Sequence, residues 1–377
     1  MTKIVLAFDS FKNCLSSIEI CSILQESILK SCPEFEVVSM PLGDGGEGTA
    51  VALTASSHGV MHKCPVHDPL NRPIEASWGL LPDNSAVFEM ASASGIELIT
   101  RDERDPMRAT TYGTGELLKY LIQQKNIRRF IIGIGGSATV DCGVGMLQAL
   151  GVKFFDNRNA LIPAPAQGRD IAAIARIDTS GMLPEIKECS FCIASDVTNP
   201  LCGENGAAKV FAPQKGADSD TVIFLENNLR NFGTLSVAGG FADNFTTPGD
   251  GAAGGLGFAL RNYLGAQTAS GAELVLERLE FDRVLEDADW VMTGEGCSDH
   301  QTANGKLCSI VSSHARRAGV PVILLSGALG EKAYILEEIF DAVLALSARP
   351  CSLDEALQST PENLRRMARS ICNMIKR

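Results

Sequence analysis

The alternation of apolar and polar positions changes character along the chain. Near the N-terminus, residues 4–7 form a short apolar run, and Ser16-Ser17-Ile18-Glu19 has the capping-box pattern of a helix start. Behind it Ile20, Ile23, Leu24 and Ile28 repeat at helical spacing. Residues 35–40 read as a second strand, and a glycine-rich segment over 43–48 leads into a small-residue helix over 50–55. Strands and helices joined by glycine turns open a parallel α/β sheet.

Over residues 65–100 the pattern shifts. Pro65, Pro69, Pro73 and Pro82 punctuate alternating segments at 74–81 and 86–90, which suit antiparallel strands. Helical periodicity returns over 116–122 with Thr114 as its predicted cap. An apolar strand over 130–134 and a glycine-rich run over 133–145 follow. After another glycine cluster at 249–257, strands over 290–293, 322–326 and 342–346 flank a helix over 309–318. We therefore expect an α/β protein of two domains. A discontinuous Rossmann-like parallel-sheet domain would take residues 1–63 plus 280–377, and an inserted mixed α/β domain residues 64–279, with the active-site cleft between them.

Composition narrows the function. With 377 residues, 45% apolar and 21% charged, the chain has the balance of an ordinary globular protein and more length than one core usually spans. No apolar run reaches the roughly 18 residues of a membrane span, so we expect no membrane partner and a cytoplasmic location. Twelve cysteines scattered through apolar segments predict reduced core residues, the Cys189-x-x-Cys192 pair included. The formal charge of −12, with no basic cluster, argues against nucleic acid as a partner. Anionic substrates would then need a few placed cations, backbone N–H groups or a metal ion. A homo-oligomer is left open.

Five acid-bearing glycine segments read as loops that could meet this need: GDGGEGT from Gly43, GIGGSATVDCGVG from Gly133, PGDGAAGGLG from Pro248, TGEGCSD from Thr293 and SGALGE from Ser326. Glycine lets backbone N–H groups approach an oxyanion, and a following helix adds its partial positive charge. No phosphate-binding G-x-x-x-x-G-K-[ST] motif is present, because His300 stands where its first glycine would be. The run from Gly133 fits a dinucleotide turn in part, but Ser137, Thr139 and Asp141 suit phosphate and Mg²⁺ better. Lys12 and Lys306, beside strand-end loops, are candidate phosphate contacts, whereas Lys215 in PQKGA keeps the ordinary reading of a solvated side chain. The five histidines show no metal-site spacing.

At these segments the sequence resembles the type I glycerate kinase family over essentially its whole length. The matching motifs, in order, are DSFK from Asp9, DGGEGT from Asp44, EMASASGI from Glu89, TTYGTGELL from Thr110, GIGGSATVD from Gly133, SDVTNPLCG from Ser195, PQKGA from Pro213, GAAGGLG from Gly251 and TGEG…D-x-Q-T…GK from Thr293. The pattern departs at Cys142, where glycine is usual, at Ser195 (cysteine), at Asp250 (alanine), and at Cys297-Ser298, where arginine and an aliphatic residue are usual. The resemblance implies a kinase that uses ATP and Mg²⁺ to phosphorylate glycerate at its 2-hydroxyl.

On this reading the triphosphate lies against Gly133, Gly135, Gly136, Ser137 and Thr139, with Gly254 and Gly255 beside it. Lys306 and Mg²⁺ balance its charge, the metal being held by one or two of Asp141, Asp196 and Glu295. Glycerate meets Ser10, Lys12 and Asp44, and Asp196 receives the hydroxyl proton, with Asp44 and Asp299 as the rival candidates for that role. Two alternatives remain: an NAD-dependent hydroxy-acid oxidoreductase using the Gly133 turn, and a non-catalytic nucleotide or sugar-acid sensor, which the missing arginine favours.

Overall fold

In the computed structural model, which describes residues 1–303 and 305–376, the chain opens with β1 (Lys3–Phe8), α1 (Ser17–Ser31), β2 (Glu36–Ser39) and α2 (Thr49–Ser56). The Ser16 hydroxyl accepts the Glu19 N–H and the Glu19 carboxylate accepts the Ser16 N–H, so the predicted capping box starts α1. Ile20, Leu24 and Ile28 are fully buried on its inner face, each contributing about 1.5–3 kcal/mol.

Next come β3 (Val60–His67), β4 (Pro73–Leu80), β5 (Ser85–Glu89), a one-turn helix α3 (Ala91–Ser94), α4 (Tyr112–Gln124), β6 (Arg129–Gly133), α5 (Val144–Ala149), β7 (Lys153–Phe155), β8 (Arg176–Asp178), β9 (Ser190–Ala194), α6 (Ala207–Phe211), α7 (Ser219–Ala238), α8 (Ala252–Leu264) and β10 (Gln267–Ala269). They form a six-stranded mixed sheet of order β10-β9-β6-β5-β4-β3, plus the ribbon β7-β8. The proline-punctuated strands β3, β4 and β5 pair antiparallel, and β5 then pairs parallel with β6. Thr114 does not cap α4. The helix starts two residues before it, and the Thr114 hydroxyl is committed to Ser94 Oγ at 2.9 Å.

The chain returns through α9 (Gly271–Arg278), α10 (Phe281–Leu285), β11 (Trp290–Ser298), α11 (Leu307–Ala318), β12 (Val322–Leu329), β13 (Ala342–Ala345) and α12 (Leu353–Ile375). With β1 and β2 these strands complete an all-parallel sheet of order β13-β12-β11-β1-β2. Two of the expected loops are strand: Thr293–Ser298 continues β11 and Ser326–Leu329 continues β12. Their glycines serve close approach between strands. A Cβ on Gly294 would sit 2.0 Å from the Leu325 oxygen, and one on Gly327 would sit 2.4 Å from the Gly296 oxygen.

The chain divides into two compact units. One comprises Met1–Asp44, Val51–His58 and Ala272–Arg377; the other comprises Gly45–Ala50 and Gly59–Gly271. Each has its own apolar core. In the first, Ile4, Leu6 and Phe8 of β1 pack with Leu24, Leu325, Leu364 and Ile371. In the second, Phe88, Leu118, Phe130, Phe154, Phe232 and Phe258 do so. Among the described residues no helix is long and apolar enough to cross a membrane.

Candidate functional site

In the parallel-sheet unit β1 and β11 are neighbours, while β2 lies beyond β1 and β12 beyond β11. The strand order therefore reverses between β1 and β11, the place where open parallel sheets take ligands at their carboxyl ends. Asp9 follows β1 there and Glu295 belongs to β11. Both line a pocket of about 410 Å³ together with Ser10, Lys12, Asp44, Cys297 and Lys306. Leu346, Leu353, Ala356 and Leu357 line the apolar part of its wall.

The pocket gathers three carboxylates and two lysines. Burial pushes the Asp9 carboxyl up from 3.8 to about 7, and the nearby Asp44 carboxylate adds to the shift, against the pull of the Ser10 N–H. That N–H donates to Asp9 Oδ1 at 2.7 Å. Glu295 is oriented by the Thr302 hydroxyl, which donates to its Oε1 at 2.6 Å, and its Oε2 stands 3.7 Å from Lys306 Nζ. Lys306 is also the N-cap of α11 and makes no side-chain cap bond there; Leu307 and Cys308 of that helix's first turn line the pocket. A lysine beside a helix N-terminus suits an anion.

The mixed-sheet unit holds the other predicted group. Past β6 the chain runs through Gly135 and Gly136, both exposed, then Ser137, Thr139 and Asp141, all buried. Asp141 is wholly enclosed. Its carboxylate accepts the Thr111 N–H and hydroxyl at 2.7 Å each, the Gly143 N–H at 3.1 Å and the Gly145 N–H at 3.3 Å. Burial raises its pKa, and these donors oppose the shift. With both oxygens hydrogen-bonded and no surface exposed, Asp141 ties the loop to the start of α4. Gly254 and Gly255 have positive φ values of 67° and 91° and are buried against the same loop. A Cβ on Gly254 would lie 2.0 Å from the Thr139 oxygen, so tight packing accounts for that glycine.

Lys215 lies beneath this loop, 2% exposed, contrary to its reading as a solvated lysine. Its Nζ donates to Ser137 Oγ and to the Thr139 oxygen, each at 2.7 Å. Burial brings its pKa down from 10.5 to about 7, the Asp141 carboxylate resisting. Glu89, also not singled out by the sequence, accepts the Ala50 N–H at 2.9 Å and fills the N-terminus of α2 with a carboxylate of the protein itself. The GDGGEGT segment is thereby capped internally. Asp196 is exposed in the turn after β9, where the Val197 N–H is taken by Ser195 Oγ at 3.3 Å. Asp250, a departure from the family pattern, is paired with Arg261 through two 2.8 Å bonds. Among the described residues no three His, Cys, Asp or Glu side chains gather into a metal cage.

Residues 4–376 match the sequence profile of the Glycerate kinase family. The chain belongs to that family. It is 39% identical over 372 residues to the glycerate 2-kinase of Escherichia coli (strain K12), covering 98% of this chain and 97% of that protein. Against the glycerate kinase of Bacillus subtilis (strain 168) the identity is 38% over 376 residues, covering 99% and 98%. A crystal structure from Salmonella typhimurium LT2, provisionally assigned as glycerate kinase 2, superposes with a TM-score of 0.88 at 38% identity, covering 100% of this chain and 98% of that one. Asp9, Ser10, Lys12 and Lys306, which lie in segments singled out in the sequence, line one pocket.

Proposed function

We propose that this chain is an ATP-dependent glycerate kinase acting at the 2-hydroxyl. The observation that carries the reading is the pocket at the carboxyl ends of β1 and β11, where Ser10, Lys12, Asp44, Glu295 and Lys306 meet beside the first turn of α11. Glycerate is a small anion with two hydroxyls. Lys12 neutralises its carboxylate, and Ser10 and Asp44 hydrogen-bond its hydroxyls. In the parallel-sheet unit Lys306 and the α11 N-terminus attract phosphate, and in the mixed-sheet unit, taken by itself, the exposed turn of Gly135 and Gly136 offers backbone N–H groups to the phosphates of the nucleotide.

Mg²⁺ binds ATP through one or two carboxylates plus phosphate oxygens, and Glu295, with one oxygen oriented by Thr302, fits that need without a full cage. When bound, the metal neutralises charge on the phosphoryl group. The hydroxyl proton needs a carboxylate whose pKa lies near neutrality. Asp9, beside Ser10 and Asp44 and raised to about 7, meets that requirement in the pocket itself, and we assign it the base role in preference to the exposed Asp196. Asp9→Asn should lower kcat about 10²- to 10⁴-fold with folding intact, and Asp196→Asn should leave it within a few-fold. The reverse order would return the role to Asp196.

The reaction itself is tested by ADP release from ATP-Mg²⁺ with glycerate as acceptor, the phosphoglycerate isomer being read by NMR in the same tube. Glycerate-dependent ADP with 2-phosphoglycerate is the expected result. The 3-isomer would overturn the regiochemistry. Tight nucleotide binding without turnover would identify a sensor.

A further inference from the structure

We propose that Lys215 is a positioning residue for nucleotide, acting through Ser137, whose hydroxyl it turns toward the phosphates. The inference rests on the reading above that the turn after β6 receives those phosphates.

Lys215 has an unusual setting for a lysine, being only 2% exposed. Burying an ammonium is costly unless its hydrogens find acceptors. Here two acceptors are supplied by one loop: Ser137 Oγ and the Thr139 oxygen, both at 2.7 Å. The neighbouring geometry offers Lys215 no freedom to leave. It is followed by Gly216 at a φ of 98°, where a Cβ would fall 2.2 Å from the Arg104 oxygen. On the far side of the loop, Gly254 presses on Thr139 and the Gly254 oxygen accepts the Cys142 N–H at 3.0 Å.

A serine hydroxyl has one proton and two lone pairs. With Lys215 occupying a lone pair from below, the Ser137 proton is directed away from the lysine. It thereby becomes a donor on the side of the loop that carries the exposed Gly135 and Gly136. Either charge state of the amine has the two N–H bonds this arrangement needs, and phosphate arriving at the loop favours the charged form. Thr139, with no exposed surface, is the anchor, and its Oγ1 has no hydrogen-bond partner. Ser137, the more exposed of the two at 8%, is the contact. Lys215 never needs to touch the nucleotide.

The test is a set of variants of the full-length enzyme, read as separate KM values for ATP and glycerate. Lys215→Met should raise the KM for ATP by about tenfold or more while the KM for glycerate moves less than twofold. Ser137→Ala, which leaves Thr139 to satisfy the buried lysine, should raise the KM for ATP similarly and guards against a Lys215→Met chain that does not fold. The double variant should be no worse than the worse single one, because the two residues act as one device. Multiplying losses, or equal changes in both KM values, would overturn the proposal. Gly135→Val supplies the control on the underlying reading. If it raises the KM for ATP and Ser137→Ala does not, the loop binds nucleotide and Lys215 is structural only. If neither moves it, the loop is not the phosphate site.

Discussion

A buried lysine leaves a mark on stability as well as on binding. The Lys215 amine titrates near 7 in the folded protein and near 10.5 when unfolded, because burial strips the ammonium of its water. Between those values the unfolded chain holds a proton that the folded chain has lost, so this residue makes stability rise with pH across that window. Lys215→Met abolishes the contribution. The change in urea midpoint from pH 7 to pH 10 should therefore be more positive in the wild type than in the variant, whatever the buried thiols contribute to both, and parallel pH curves would show that the lysine is not held in the folded chain as the structure has it. Cys297 tests the other charged site. It is exposed at the pocket, where the family pattern has arginine, in the company of Asp9, Asp44 and Glu295. A guanidinium there would pair with an anionic substrate in a way a thiol does not. Cys297→Arg should lower the KM for ATP or for glycerate several-fold; an unchanged pair of values would mean that the side chain at 297 faces neither.

At the scale of elements, the packing of α8 on the loop after β6 leaves no room for a side chain. Gly254→Ala would place a methyl 2.0 Å from the Thr139 oxygen at a φ of 67°, so the start of α8 and the loop must part. We expect a loss of about 2 kcal/mol or more in urea unfolding, together with a higher KM for ATP, because the displaced loop is the one that Lys215 braces. This contact also shows what the sequence could and could not say. The periodicity of Ile20, Leu24 and Ile28, the capping box at Ser16 and the prolines around β4 and β5 are local signals, and those elements lie where the signals put them. Glycine is an ambiguous signal. In GDGGEGT and GIGGSAT it marks turns, but in TGEG and SGAL it marks strands that nearly touch, which depends on a partner far along the chain. Lys215 and Glu89 were missed for the same reason. Their roles come from Ser137, Thr139 and Ala50, distant in sequence, and only the oddity of a lysine among small residues in PQKGA hinted at the first. Asp9 stood in plain view inside DSFK, yet its raised pKa depends on burial and on Asp44, which no spacing rule reports.

At the scale of the whole molecule, the parallel-sheet unit has to be assembled from both ends of the chain. Its strand β1 takes β2 from its own segment and β11, the central strand, from a segment beyond residue 271. Helix α1 packs on α12, so the helices need both ends as well. The other unit is nearly continuous over Gly59–Gly271, and its core residues all lie within that span. The two units should therefore respond differently to cutting. A fragment of residues 59–271 keeps its six-stranded sheet, the β7-β8 ribbon and the buried aromatic core and should unfold cooperatively in urea. It should do so at a lower midpoint than in the intact chain, since it lacks the Ala50 N–H that Glu89 accepts. Residues 1–58 alone retain a two-stranded edge with its apolar face uncovered and should be unfolded by far-UV circular dichroism, and residues 272–377 keep β11, β12 and β13 but lack β1, the other neighbour of β11. Mixing those two pieces should restore helical signal with a cooperative transition, because β1 then finds β11 and α1 finds α12. Independent folding of either end fragment would mean that the parallel sheet nucleates locally and that the long-range pairing of β1 with β11 adds only to its stability.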